Sequence, residues 1–345
     1  MSRTPRTIPV PACPACGSER HGEAFSQPDR LFGVAGVFHY RTCEACASTF
    51  QGPRVVDEDL PMLYPGGYYT HDAGAPGPPP APPPRSWSGL RDRIRSGVAA
   101  AVQPWRGRAG PAARLIAHSR FMRERAFLDA VLDELIPRRP RPGRALDVGC
   151  GSGVLLRNLA GVGWEAEGLE WDPAAAAVAS AATGLHVSSG TVHDLTDRGA
   201  FNLIVLSHVF EHLADPVRDL RRMGELLTSD GRIVLIYPNP RALAARRFGA
   251  HWLGWDPPRH LVIPPRSALP GMAKASGLRS VASRTLARSA AFTAAASRWI
   301  RRGERPILTS LPLERSDRRF LRLEHAALWI DADAGEEVVA VLARA

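Results

Sequence analysis

This sequence predicts an α/β fold: a doubly wound sheet preceded by a small module organised by cysteines. Three observations carry that prediction. From Arg144 onward, short apolar runs of strand composition alternate with helical patterns. The first such run passes into A-L-D-V-G-C-G-S-G at residues 145–153, with glycines at 149, 151 and 153. Upstream, four of the five cysteines fall into two C-x-x-C pairs.

The cysteine module comes first in the chain. Cys13 and Cys16 are separated from Cys43 and Cys46 by 26 residues. Two such knuckles let four thiolates converge on one tetrahedral metal, so Cys13, Cys16, Cys43 and Cys46 read as a structural zinc (Zn2+) site. A redox dithiol and knuckles without metal are the alternatives. Gly17 can take the left-handed conformation such a turn needs, whereas Ala47 at the matching place departs from it. His21 and His39 are nearby, but four cysteines complete the set, and both histidines read as structural or surface residues. Residues 37–42 read as a strand entering the second knuckle. A Tyr-rich turn follows at 63–69.

Residues 72–85 are nearly all Pro, Gly and Ala, a semi-rigid polyproline-type linker. In residues 86–118, Arg91, Arg93, Arg95, Arg106, Arg108 and Arg114 interrupt Leu90, Ile94, Val98 and Ala101 at helical spacing. That pattern reads as a solvated basic helix, with an anionic membrane surface as its other reading. A stronger apolar stripe, Phe121, Phe127, Leu128, Val131, Leu132 and Leu135, predicts a helix at 120–136. The expected division is therefore a module at 1–71, a linker and basic segment at 72–118, and the α/β domain at 119–345.

Composition bounds the function classes. The formal net charge is +10, almost all of it arginine, since Lys274 is the one lysine. With abundant Ala, Gly and Pro this reads as GC-rich coding bias, while leaving room for an anionic partner. No run of about twenty apolar residues is present, so no membrane span is expected. The N-terminal residues lack an apolar signal core, and the expected location is cytoplasmic.

Within the domain, a strand, a glycine turn and a helix N-terminus make a ligand cradle. The spacing is G-x-G-x-G rather than the G-x-G-x-x-G of dinucleotide sites. Asp147, two residues before the first glycine, would repel a pyrophosphate and suits a ligand carrying an amine. A second strand at 164–170 ends on Glu170, placed to accept ribose hydroxyls. Asp172-Pro173 caps a helix at 174–182. A short third strand at 185–188 precedes Thr191, Val192 and Asp194. The fourth strand, 201–206, runs into S-H-V-F-E-H-L-A-D-P at 207–216. Its H-x-x-E-H string matches an inverted zinc-protease motif, but that motif needs a continuous helix and this one abuts a strand end. A helix at 217–227, stopped by Asp230-Gly231, leads to a fifth strand at 232–237 that ends Pro-Asn. Residues 251–265, H-W-L-G-W-D-P-P-R-H-L-V-I-P-P, form a loop too aromatic to be a solvated connector. A helix at 267–276, a sixth strand at 278–286, a helix at 287–302 and a final strand at 336–344 complete the pattern.

The A-L-D-V-G-C-G-S-G turn, Glu170 and E-H-L-A-D-P together resemble the class I S-adenosylmethionine-dependent methyltransferases. The two knuckles with a Tyr-rich turn ahead of them are similar to a bacterial sugar and natural-product subgroup, in which the N-terminal module flanks the acceptor site. The resemblance implies a Rossmann-like sheet of seven strands in the order 3-2-1-4-5-7-6. It implies S-adenosyl-L-methionine bound by Asp147, Gly149, Cys150, Gly151, Gly153, Glu170, Trp171, Thr191, Val192 and Ser207, with Asp194 a further adenine contact. It places His208, Glu211 and His212 on the catalytic side. Related quinone O-methyltransferases carry a carboxylate where His208 stands and can hold a metal with that trio; the substitution puts that donor set in question here. Position, rather than the resemblance, makes residues 251–265 one wall of an acceptor pocket beyond the strand ends: Asp256-Pro257-Pro258 would stiffen the turn and present Arg259 and His260, His260 or His208 would be the base, and Trp252 and Trp255 would shelter the reacting centre or simply pack on the sheet edge. The expected partner is a small-molecule acceptor: a sugar, a natural product or a quinone-like ring. The alternative is a nucleic-acid-binding zinc ribbon, or an RNA methyltransferase. Arg20, Arg30 and Arg41 are scattered rather than striped, and no N-P-P-Y-like tetrad follows the fourth strand, which speaks against both.

Overall fold

The computed structural model describes residues 3–64, 97, 100–101, 109–117, 142–161 and 163–345. The proline-rich linker, the Tyr-rich turn beyond Tyr64 and the helix expected at 120–136 lie outside the described residues. So does most of the basic segment, of which α1 (Pro111–Ala117) is described.

In the N-terminal module, β1 (Thr7–Ile8) pairs with β5 (Arg54–Val55). Strands β2 (His21–Pro28), β3 (Val37–Cys43) and β4 (Thr49–Gln51) form an antiparallel sheet that a distant strand, β11 (Val262–Ile263), extends in the order β11-β4-β3-β2. Strand β3 alternates as a half-buried strand should: Phe38 and Tyr40 point inward, while Val37 and His39 face out. Phe38, Tyr40, Val55 and Leu63 make the module's core, and Phe25 stacks on Tyr40.

The remaining strands form one seven-stranded sheet. Strand β6 (Arg144–Val148) is an apolar run interrupted by Asp147, and helix α2 (Val154–Gly161) follows its glycine turn. Strand β7 (Glu165–Glu170), helix α3 (Pro173–Thr183) and strand β8 (Val187–Ser189) come next, with β6–β7 and β7–β8 parallel. Asp172 caps α3 by accepting from the Ala174 and Ala175 amides, and Gly184 closes it at φ 69°. Then follow β9 (Phe201–Ser207), α4 (Pro216–Leu226), β10 (Leu227–Pro238), α5 (Leu243–Phe248), α6 (Leu269–Ala275), β12 (Leu278–Leu286), α7 (Ala290–Arg301), α8 (Arg315–Ala327) and β13 (Glu337–Arg344). The sheet order β12-β13-β10-β9-β6-β7-β8 is the expected 3-2-1-4-5-7-6, with the last strand antiparallel to both neighbours.

Two local expectations differ. Asp230-Gly231 does not separate helix from strand, because β10 begins directly at Leu227 and runs through both residues. Helix α8 was not foreseen, although Glu314 and Asp317 form a reciprocal capping box that marks its start.

Contacts divide the chain into two units. One comprises Met1–Tyr69, Thr196–Gly199 and Val205–Ala345; the other comprises Thr70–Leu195 and Ala200–Ile204. This is a different partition from the linear one at 71 and 118. The cysteine module shares a unit with the C-terminal half because β11 hydrogen-bonds to β4 in register Val262–Phe50 and Ile263–Thr49.

Candidate functional site

In the second unit the glycine turn is a closed backbone loop. Gly149, Gly151 and Gly153 all have left-handed φ, 65°, 50° and 75°, which explains why each is glycine. The Gly149 and Cys150 amides donate to the Leu169 carbonyl, tying the turn to the end of β7. There Glu170, buried, accepts from the Gly151 amide at 2.9 Å and from the Asp172 amide at 3.4 Å. Asp147 is 2% exposed, and its Oδ2 has no hydrogen-bond partner. Burial, and then the Glu170 charge, push its pKa up to about 8. A buried carboxylate in that state favours a cationic group beside it. Cys150 packs in the same turn as a buried thiol. Trp171 stands 40% exposed just after β7. Thr191 spends its amide and hydroxyl on Asp194 Oδ2, both at 2.8 Å, so Asp194 is already engaged within its own turn, while Val192 is buried beside it.

In the first unit a second group of polar residues converges. Beyond Ser207, the last residue of β9, His208 adopts φ 56°, a conformation few non-glycine residues take. A short 3-10 turn, Phe210–His212, follows. Glu211 is fully buried and neither carboxylate oxygen accepts a well-formed hydrogen bond. Its nearest basic neighbours are His208 Nδ1 at 3.5 Å and His260 Nε2 at 3.8 Å. Its own carbonyl accepts from the Leu261 amide at 2.7 Å, which fastens the aromatic loop to this turn.

The three imidazoles differ in state. Around His208 desolvation opposes a charge, but Glu211 and Glu337 outweigh it and raise its pKa to about 10, so at neutral pH it is a cation paired with Glu337 at 3.2 Å. Burial and the neighbouring His260 hold His212 down to about 4, leaving it neutral. His212 Nδ1 lies 3.0 Å from the Arg259 carbonyl and His260 Nδ1 lies 2.8 Å from the Gly254 carbonyl. A carbonyl can only accept, so each Nδ1 carries the proton and each Nε2 keeps its lone pair. The two rings meet edge to face at 4.7 Å.

The aromatic loop is built into the protein rather than laid over it. Trp252 is fully buried and donates to Glu336 Oε1 at 2.8 Å; Trp255 donates to the Gly249 carbonyl at 2.9 Å. Both indoles are packing residues here, not free faces of a pocket. Arg259, which the Asp256-Pro257-Pro258 turn was expected to present to the acceptor, is instead 1% exposed and bonded inside the protein. Its guanidinium bridges Asp29 of the cysteine module and Asp256 of its own loop, donates to the Leu63 and Pro257 carbonyls, and lies over the Phe32 ring. Tyr40 adds a hydroxyl bond of 2.8 Å to the His260 carbonyl, and the Tyr64 hydroxyl reaches His212 Nδ1 at 3.2 Å.

The four cysteines do converge. Cys13 and Cys46 sulfurs are 3.7 Å apart, Cys16 and Cys43 sulfurs 3.5 Å, and all four lie within 4.8 Å of one another. Tetrahedral thiolates about 2.3 Å from a zinc ion stand roughly 3.7 Å apart, so the donor set fits that metal. Both knuckles use a left-handed residue: Gly17 at φ 75° and Ala47 at φ 59°. Ala47 thus departs from glycine in identity but not in conformation. His21 and His39 stay outside the cluster, bonded to the Pro11 carbonyl and to Ser26.

With this geometry in place, residues 118–283 match the protein family described as a methyltransferase domain. Among curated proteins, a ubiquinone biosynthesis O-methyltransferase of Caulobacter sp. (strain K31) is 34% identical over 132 residues, 35% of this chain and 52% of that protein. One from Azorhizobium caulinodans is 34% identical over 129 residues, 34% of this chain and 51% of the relative. The chain spans about half the length of the curated relatives it matches. Among solved structures, a SAM-dependent methyltransferase of Archaeoglobus fulgidus is 19% identical, covering 65% of this chain and 94% of that one at a TM-score of 0.42. No helix among the described residues is long and apolar enough to cross a membrane.

Proposed function

We propose that this protein transfers the methyl group of S-adenosylmethionine to a hydroxyl of a small-molecule acceptor, and that its four cysteines hold a structural zinc ion. The observation that carries the first statement is the unpartnered, buried Asp147 oxygen beside a turn of three left-handed glycines, with Glu170 at the end of the next strand. The glycines admit a ligand close to the backbone. Asp147 suits the cofactor's amine, and Glu170 suits its ribose. Cys150, Trp171, Thr191 and Val192 are proposed to complete the adenosine surroundings, and Ser207, at the end of β9, is proposed as a further cofactor residue. The cofactor supplies an already activated methyl group, so the protein's task is to hold both reactants in line and to manage the acceptor's proton.

His208, Glu211, His212 and His260 are proposed on the acceptor side. Of the two expected bases, His260 is the one whose lone pair is free, since His208 holds a proton between two carboxylates. The named activity of the curated relatives supports an oxygen acceptor on a small molecule. The test pairs two variants. Glu170→Ala should weaken S-adenosylhomocysteine binding by about 1.5–3 kcal/mol, the scale of a lost charge-assisted hydrogen bond. His260→Ala should leave that affinity intact and slow methyl transfer to phenolic or sugar acceptors by roughly 10²-fold, the scale of a lost general base. Unchanged cofactor affinity in the first variant would move the ribose elsewhere; full transfer in the second would remove His260 from the reaction.

A further inference from the structure

We propose that helix α8 and the turn after it form a surface that docks on an anionic lipid bilayer. Helix α8 (Arg315–Ala327) is two-sided. At about 3.6 residues per turn, Asp317, Phe320 and Glu324 fall on one face, and all three are buried. The opposite face carries Arg315, Arg318, Arg319 and Arg322, all exposed. Leu323, 56% exposed, continues that face, and the turn after the helix holds out Trp329 and Ile330 at 89% and 93% exposure.

Neither the charge nor the apolar tip is satisfied within the described residues. Glu314 and Asp317, the acids beside the arginines, are both taken by Arg298. Farther on, Asp331 is paired with Arg246 and Asp333 with Arg266. Glu304 is the remaining exposed acid between residues 301 and 330. Arg315 stands three and four positions before Arg318 and Arg319, and Arg322 stands three and four after them, so like charges repel along the stripe. Arg315 and Arg318 also lie in the first turn, at the positive end of the helix dipole. An anionic surface outside the chain relieves both costs.

Charge and exposure select the occupant. A second copy of this face would meet its own arginines, so a dense negative surface fits instead. A Trp-Ile pair held out of a turn enters a headgroup layer without needing a shaped pocket, and indoles favour that layer. No described helix is long and apolar enough to cross a membrane, so the contact is peripheral. The turn is also fixed to one edge of the sheet. Asn239 Nδ2 donates to the Asp333 and Gly335 carbonyls at 2.7 Å each, and Glu337, the first residue of β13, lies 3.2 Å from His208 Nε2. Docking there would turn the proposed acceptor end of the sheet toward the lipid. That consequence rests on the methyl-transfer reading, whereas the docking itself does not.

The experiment co-sediments the full chain, zinc-loaded, with vesicles of phosphatidylcholine alone or with about a quarter phosphatidylglycerol. The wild-type protein should bind the anionic vesicles, leave the neutral ones, and be released by added salt. Arg318→Gln with Arg322→Gln should weaken binding roughly fivefold per arginine, from about 1 kcal/mol for each cation at such a surface. Trp329→Ser with Ile330→Ser should weaken it at least about tenfold, through lost apolar insertion. Brominated lipid should quench a share of the tryptophan fluorescence that Trp329→Phe removes. All of these side chains are exposed, so melting temperature and S-adenosylhomocysteine affinity should stay unchanged in every variant. No binding of the wild-type protein to anionic vesicles overturns the docking surface. Equal binding by all variants moves the lipid contact elsewhere and overturns it too. Loss in the arginine variant alone, with soluble polyglutamate competing as well as vesicles do, would assign the stripe to an acidic protein instead. Absence of methyl transfer alters none of these readouts.

Discussion

Arg259→Met should be among the most destabilising single changes in the first unit. The guanidinium is buried between two buried carboxylates, Asp29 and Asp256, and links the cysteine module to the loop that carries His260. The two acids are not equally dependent on it. Asp29 also accepts the amides of Leu31, Phe32 and Val34, at 2.8, 3.1 and 3.0 Å, and would keep that solvation. Asp256 would keep only the His260 ring at 3.8 Å. One carboxylate is therefore stranded in the interior, and breaking a buried pair in this way costs about 3–5 kcal/mol. Against a total stability of about 5–15 kcal/mol that is a third or more of the margin. Urea unfolding of the wild-type and variant chains measures it directly. Arg259→Met combined with Asp256→Asn should recover much of the loss, because the stranded charge is gone. S-adenosylhomocysteine affinity should not move, because the partners of Arg259 are Asp29, Leu63, Asp256, Pro257 and Phe32, none of which is a proposed cofactor residue. A loss below about 1 kcal/mol, or no recovery in the double variant, would refute the stranded-charge argument. The pH dependence has a definite sign. Although burial opposes it, Arg259 holds the Asp29 carboxyl below its ordinary range, so its contribution is present at neutral pH and is lost as pH falls through the lowered value. Arg259→Met should flatten that acid limb.

Glu324, fully buried on α8 with neither oxygen hydrogen-bonded by a side chain, has its pKa raised to about 8, chiefly by burial and with a further push from the Glu337 charge. The folded chain then holds a proton that the unfolded chain has released, so stability should fall as pH rises from about 4.5 to about 8 and then level off. Melting temperatures of Glu324→Gln should be higher than wild type at pH 8 and show a shallower decline; an unchanged slope would place the proton elsewhere. Metal analysis should find about one zinc held by the four thiolates. Cys43→Ser should loosen the module, measured as faster amide exchange in β2 to β4, and spare S-adenosylhomocysteine binding. Gly17→Ala forces a Cβ into a left-handed turn at φ 75° and should cost about 1–2 kcal/mol in urea unfolding; a neutral effect would mean the knuckle relaxes.

The elements of the sheet were legible in the sequence because their signals are local. An apolar run followed by Gly149, Gly151 and Gly153 announces strand, turn and helix, and all three glycines do take the left-handed conformation that calls for them. The Asp172 cap, followed by proline, starts its helix where it should. The strand order came from a resemblance rather than from periodicity, and the sheet has it. The paired knuckles likewise predicted that four sulfurs meet, since each C-x-x-C closes over a short turn.

Only the tertiary structure decided what the aromatic loop is for. In sequence, Val262-Ile263 is two β-branched residues with no partner; in the fold it pairs with a strand more than two hundred residues earlier. Arg259 reads in sequence as a residue presented by the Asp256-Pro257-Pro258 turn, yet among the described residues it is the buried arginine, held by Asp29 and Asp256. Trp252 and Trp255 read as available aromatic surfaces, but their N–H groups are satisfied inside the protein. His260 and Glu211 become neighbours because an amide at 261 reaches a carbonyl at 211. His208, His212 and His260 are the same residue type in the sequence. Burial, two backbone carbonyls and two carboxylates make one a cation and leave lone pairs on the other two. Hydrophobic periodicity and turn chemistry act within a few residues, so sequence carries them. Which charge meets which, and how much water remains between them, is settled only when distant segments pack.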